Sequence, residues 1–131
     1  MPRVLVVDDQ KDVRAMVSMV LRLSHFEVSE AESVEGGLQA FGAGDFDAAV
    51  VDVFLKDESG FDLIAALRER APDLPVVAVS GLATLEAVAH SAVLSNVVCL
   101  QKPFRPVELI HALETARGGA AQAGAPARAA V

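Results

Sequence analysis

Residues 4–9 read Val-Leu-Val-Val-Asp-Asp, and residues 48–52 read Ala-Ala-Val-Val-Asp. Each is a short apolar run that stops abruptly at carboxylates. Runs of this length are too short for helices. Their near-continuous apolar character, rich in valine, signals strands buried on both faces, as in parallel sheets. Two further runs repeat the pattern: Val76 to Val79, stopping at Ser80, and Val97 to Leu100, just ahead of Lys102-Pro103. A weaker stretch, Phe26 to Ala31, alternates apolar and polar residues, which suits an edge strand.

Helical stripes fill the intervals. Val13, Met16, Val17 and Val20 recur at helical spacing, as do Val34, Leu38 and Phe41, then Phe61, Ile64 and Leu67. Leu85, Val88, Ala89 and Ala92 form a fourth stripe, and Val107, Ile110 and Leu113 a fifth. Five β-α repeats imply an α/β fold with a doubly wound, five-stranded parallel sheet and helices on both faces, since such crossovers are right-handed. Asp9 or Asp12 is expected to cap the first helix and Ser33 the second. Ala71-Pro72-Asp73-Leu74-Pro75 is expected to stop the third.

Composition narrows the class. The chain has 131 residues, 53% of them hydrophobic, enough for one folded domain with its own core. Acids outnumber bases 18 to 11, and a net charge of −7 argues against a nucleic-acid surface. A single cysteine, Cys99, excludes a disulfide framework and any multi-cysteine metal site. No signal peptide is visible and no apolar run approaches the roughly 18 residues of a membrane helix, so a cytoplasmic protein without membrane contact is expected. The domain is read as residues 1–117. Residues 118–131, GGAAQAGAPARAAV, carry no period and are read as a flexible tail.

In open parallel sheets, reactive groups gather at the carboxyl ends of the strands. Here those ends carry Asp8-Asp9, Asp52, Ser80 and Lys102. Three neighbouring carboxylates repel one another and call for a hard divalent cation with oxygen ligands, best met by Mg²⁺. A carboxylate can also act as a nucleophile and carry a phosphoryl group as an acyl phosphate. A lysine nearby would neutralise charge on that group, and the Ser80 hydroxyl would bond one of its oxygens.

The segments VLVVDDQ (4–10), AAVVDVFLKDESG (48–60), VVAVSG (76–81) and LQKPF (100–104) resemble response-regulator receiver domains of the CheY-like superfamily. The resemblance covers about residues 3–117. Gly60 lies eight residues past Asp52 and Lys102 lies 22 past Ser80, as in typical receivers. It implies a flavodoxin-like strand order, 2-1-3-4-5. It implies that Asp52 accepts the phosphoryl group, and that Asp8 and Asp9, with Asp52 and the backbone carbonyl of Phe54, hold Mg²⁺. Ser80 would be the hydroxyl that moves toward the phosphoryl group, Lys102 would pair with its oxygens, and Gly81 would leave the site open. The Lys102-Pro103 bond would be cis, a form X-Pro bonds tolerate. The partners implied are a histidine kinase or histidine phosphotransfer protein and a separate output protein, with the chain a stand-alone monomer or weak homodimer. It would be a signalling switch, not an enzyme, beyond weak self-phosphorylation from small donors and self-dephosphorylation.

Three departures stand out. Cys99 occupies the usual aromatic position, Lys56 stands where a proline is common, and Leu94-Ser95-Asn96 replaces a small-residue turn. The rival reading that Cys99 and the Leu94-Ser95-Asn96 turn favour is a degenerate receiver that binds partners without phosphorylation, opposed by the intact Asp8, Asp9, Asp52, Ser80 and Lys102. An aspartyl phosphatase would want an Asp-x-Asp where the acids here are adjacent. A flavin site would want a hydroxyl- and glycine-rich loop where Asp8-Asp9-Gln10-Lys11-Asp12 would repel a phosphate. Cys99 is read as a small buried hydrophobe, His25, His90 and His111 as bystanders, and Glu27, Glu30, Glu32 and Glu35 as a solvated face.

Overall fold

A computed structural model describes residues 1–81 and 97–119. In chain order the elements are β1 (Arg3–Val7), α1 (Lys11–Leu23), β2 (Glu27–Ala31), α2 (Val34–Gly42), β3 (Ala48–Asp52), β4 (Phe54–Leu55), β5 (Glu58–Ser59), α3 (Gly60–Arg70), β6 (Val76–Ser80), β7 (Val97–Gln101) and α4 (Pro106–Gly119). The main sheet runs β2-β1-β3-β6-β7, parallel throughout. With the small β4-β5 hairpin set aside, this is the 2-1-3-4-5 order expected of a flavodoxin-like sheet. The Leu85–Ala92 stripe, the 94–96 turn and residues 120–131 lie outside the described residues.

The valine runs are unbroken because each central strand feeds two cores. Side chains alternate across a strand. Val4 and Val6, Ala48 and Val50, and Val77 and Val79 face a core completed by Val17 and Leu21 of α1 and Leu109 and Leu113 of α4. Their neighbours Leu5, Val7, Ala49, Val51, Val76 and Ala78 face the opposite core, with Leu63, Ile64 and Leu67 of α3. Each fully buried Leu, Ile or Val contributes roughly 1.5–3 kcal/mol of burial, so the sheet is stabilised from both sides. The central strands leave no face for polar residues before their carboxyl ends, while the edge strand β2 carries Glu27, Ser29 and Glu30.

Local signals fare unevenly. Ser33 caps α2, its Oγ accepting from Gly36 N at 3.0 Å. Neither Asp9 nor Asp12 caps α1. The capping position is Gln10, which makes no side-chain cap bond, and the adjacent carboxylate of Asp8 instead accepts from the Gln10 N–H at 2.8 Å. β2 begins one residue later than expected, because Phe26 turns inward and is buried beneath the Arg117 guanidinium, 5.4 Å above its ring. Helix α4 runs through Gly119, two residues beyond the 117 boundary. Cys99 is half-buried, since β7 borders the main sheet.

Helix α1 ends in a Schellman turn. Phe26 N donates to Leu21 O at 3.0 Å and His25 N to Arg22 O at 3.1 Å, with His25 at φ 71°. That left-handed position normally belongs to glycine. His25→Gly is therefore expected to stabilise the fold by about 0.5–1 kcal/mol, read as a higher midpoint in thermal melting. An unchanged or lower midpoint would show that the histidine ring contributes more than the backbone strain costs.

Candidate functional site

The parallel register sets the strand ends side by side. Asp52 pairs across the sheet with Val79, and Ser80 with Gln101, so the residues that follow β1, β3, β6 and β7 share one edge. There the carboxylates of Asp8, Asp9 and Asp52 each offer an oxygen within 4.8 Å of the others. Lys102 enters from the loop after β7. Its Nζ lies 2.8 Å from Asp52 Oδ2 and 3.5 Å from Asp8 Oδ2.

Hydrogen bonds hold each member in place. Asp52 Oδ1 accepts from Phe54 N at 2.9 Å. Asp8 is tied through its backbone as well: its N–H donates to Ala31 O at 3.1 Å, and its carbonyl accepts from Arg14 Nη1 at 2.7 Å. Lys102 N donates to Ser80 O at 2.8 Å, and the Lys102-Pro103 bond is cis. Ser80 is almost completely buried beside the cluster but not bonded to it; its hydroxyl donates to Gly81 O at 3.2 Å. Among the described residues, nothing stands within 4 Å of the position a Gly81 side chain would take.

The electrostatics are strained. At an effective dielectric of about 20, two unit charges 4.8 Å apart repel by about 3.5 kcal/mol, and three such carboxylates face one ammonium. Asp8 has its carboxyl pushed above the usual range. Burial is the largest cause, opposed by the Gln10 N–H, reinforced by the Asp52 charge, eased by Lys102 and reinforced again by Asp9. For Lys102, burial alone pulls the ammonium's pKa down, but the hydrogen bond and charge of Asp52, then those of Asp8, reverse it. The net shift is upward, so the lysine stays protonated. An all-oxygen donor set carrying this much negative charge fits a hard divalent cation.

The β4-β5 hairpin is the part of the site that periodicity did not reveal. Phe54 pairs with Ser59 and Leu55 with Glu58, and Lys56 turns at φ 52°. Proline fixes φ near −65°, so the lysine at the family's common proline position follows from the backbone. The Phe54 ring is 62% exposed, while Leu55 is buried. Glu58 Oε1 accepts from Val34 N at 3.0 Å, tying the hairpin to the start of α2. Gly60 has no room for a side chain: a Cβ would overlap the Asp52 carbonyl oxygen and lie 2.6 Å from Val53 Cα. The eight-residue spacing from Asp52 to Gly60 is thus a close backbone approach behind the aspartate.

Sequence reasoning missed Arg14 and read Glu27, Glu30 and Glu32 too simply. These glutamates are exposed, yet Glu30 lies 3.2 Å from Arg14 and 3.5 Å from Arg22, and Glu27 lies 3.4 Å from Arg3. The available signal was a basic residue early in α1, where the helix dipole disfavours it.

A family model described as response regulator receiver domain matches residues 4–114. The chain belongs to that family. This receiver is 31% identical over 107 residues to the DNA-binding transcriptional regulator NtrC of Rhizobium meliloti, covering 82% of the chain and 22% of that protein. It is 35% identical over 109 residues to the transcriptional regulatory protein PrrA of Mycobacterium tuberculosis, covering 83% and 47%. It spans less than half the length of either. Its fold matches the chemotaxis protein CheY4 of Vibrio cholerae with a TM-score of 0.82 at 27% identity, covering 88% of this chain and 98% of that one. It matches a putative response regulator from Chloroflexus aurantiacus with a TM-score of 0.80 at 30% identity, covering 90% and 99%. Phosphoacceptor signalling is the role of such domains. Among the described residues, no helix of the receiver is long and apolar enough to cross a membrane.

Gly60→Ala is expected to destabilise the receiver by about 1–3 kcal/mol, the usual cost of overpacking, and to displace Asp52. Thermal melting with phosphorylation yield measures both. A variant of wild-type stability would mean that the backbone behind Asp52 is not closely packed.

Proposed function

We propose that Asp52 is the phosphoacceptor, taking its phosphoryl group from the phosphohistidine of a histidine kinase or phosphotransfer protein. The observation that carries the reading is the buried Asp52 carboxylate with the Lys102 ammonium 2.8 Å from Oδ2. An Asp52 oxygen attacks phosphorus and the P–O bond forms. The P–N bond to the donor imidazole breaks, and the nitrogen keeps the electron pair and later takes a proton. Lys102 is within reach of the new phosphoryl oxygens without leaving its loop. The Phe54 N–H fixes the plane of the attacking carboxylate through Oδ1. Ser80 reaches the phosphoryl group by turning its hydroxyl away from the Gly81 carbonyl.

Asp8, Asp9 and Asp52, with the Phe54 carbonyl, would hold Mg²⁺, which supplies charge neutralisation for the phosphoryl oxygens when bound. The donor set fits that ion, and the crowding of carboxylates gives it reason to bind. The acyl phosphate then biases a two-state surface that a separate partner reads, in the cytoplasm where such donors act. The net charge of −7 favours a protein partner over nucleic acid for this domain. The receiver is a switch, with self-phosphorylation from small donors as its own chemistry. Cys99, in place of an aromatic, favours a second reading in which partner binding proceeds without phosphorylation.

Intact mass after incubation with acetyl phosphate and Mg²⁺ separates the two. One added phosphoryl group is expected, absent in Asp52→Asn and absent from wild type when the metal is chelated. No mass gain, or an equal gain in the Asn variant, would overturn the assignment of Asp52 and favour the phosphorylation-independent reading.

A further inference from the structure

The Arg14 guanidinium bridges two structures that the proposed function treats separately. Its Nη1 donates to the Asp8 carbonyl at 2.7 Å, and its Nε donates to Glu30 Oε1 at 3.2 Å on the edge strand β2. Its Nη2 lies 4.0 Å from Glu32, and the other oxygen of Glu30 is 3.5 Å from Arg22. The side chain is only 14% exposed. A planar guanidinium can serve a carbonyl and a carboxylate at once; a lysine ammonium is a single point donor.

The Asp8 carbonyl belongs to the Asp8–Asp9 peptide plane, so its donor sets the plane from which the Asp9 carboxylate projects. The N–H on the other side of Asp8 is already fixed by Ala31 O. With both bonds made, the Asp8-Asp9 backbone is clamped between β2 and α1. We propose that Arg14 is a positioning residue that fixes the Asp8-Asp9 peptide, and so the cation affinity of the acidic pocket, with Glu30 of β2 as its anchor. This role rests on the reading of Asp8 and Asp9 as cation ligands.

Charge and geometry predict opposite outcomes when Arg14 is removed. Deleting a positive charge near the pocket would tighten cation binding, whereas releasing the peptide would weaken it. The double variant Arg14→Met with Glu30→Gln removes one charge of each sign and leaves the net charge unchanged. Because Arg14 is the nearer of the two to the pocket, the residual charge effect can only tighten cation binding, so a weaker affinity reports geometry, and the charge-conserving Arg14→Lys is the control. Two quantities are read on wild type and variant: the Mg²⁺ dissociation constant by calorimetry on unphosphorylated protein, and the Mg²⁺ concentration for half-maximal phosphorylation by acetyl phosphate. Circular dichroism verifies that both are folded.

Both quantities are expected to rise about tenfold, the usual effect of losing a group that orients a metal ligand, while the yield at saturating Mg²⁺ is largely kept. Arg14→Lys, which keeps the charge but cannot span Asp8 and Glu30 together, is expected to fall between the two. It also carries the test should the double variant not fold. Mg²⁺ affinities within twofold of wild type in the folded variants would overturn the positioning role alone. A wild-type chain that binds no Mg²⁺ would overturn the cation-site reading beneath it, and this role with it.

Discussion

The 2.8 Å contact between Lys102 and Asp52 joins residues 50 positions apart, and the rest of the site is arranged around it. It exists because β3 and β7 both flank β6 in a parallel sheet and point their carboxyl ends the same way. One ammonium is set against three carboxylates, two of them buried. Buried like charges without full compensation are destabilising, and proteins keep such arrangements where function requires them. On the proposed function, the site is the place where this fold gives up stability for reactivity. The two apolar cores on either side of the sheet offset that cost.

The scaffold around the pair is stiff where it matters. Asp52 sits at the end of a strand buried on both faces, with Gly60 packed against its backbone. Asp8 is held by Ala31, Gln10 and Arg14. Ser80 differs: among the described residues, the bond from its Oγ runs to the neighbouring Gly81 carbonyl and not to the carboxylates, which leaves the hydroxyl free to turn toward them. Fixed carboxylates with one rotatable hydroxyl suit a group-transfer site that must also report its state.

The sheet and most of the pocket were legible in the sequence for one physical reason. Strands buried on both faces carry no polar residue until they end, so the first polar groups after Val7, Val51 and Val79 mark the candidate edge, and Lys102 follows the border strand β7 one residue past the exposed Gln101. What stayed hidden was non-local or too short for periodicity. The β4-β5 hairpin pairs only two residues from each side. Asp9 and Asp12 carry the same capping chemistry whether or not they cap, and only tertiary contacts show that Asp8 bonds the Gln10 N–H instead. The Arg14–Glu30 pair joins a helix to a strand 16 residues away, and its partner looked like one more acid on a solvated face.

A cluster held against its own repulsion should relax when one charge is removed and should gain stability when a cation arrives. Thermal melting of wild type and Asp9→Asn, each with and without Mg²⁺, tests this directly. Wild type is expected to gain about 2.7 kcal/mol at a Mg²⁺ concentration 100 times the dissociation constant. The variant is expected to melt above metal-free wild type and to gain little from the ion. A wild-type midpoint indifferent to Mg²⁺, together with a variant that melts lower, would contradict both the repulsion and the cation site.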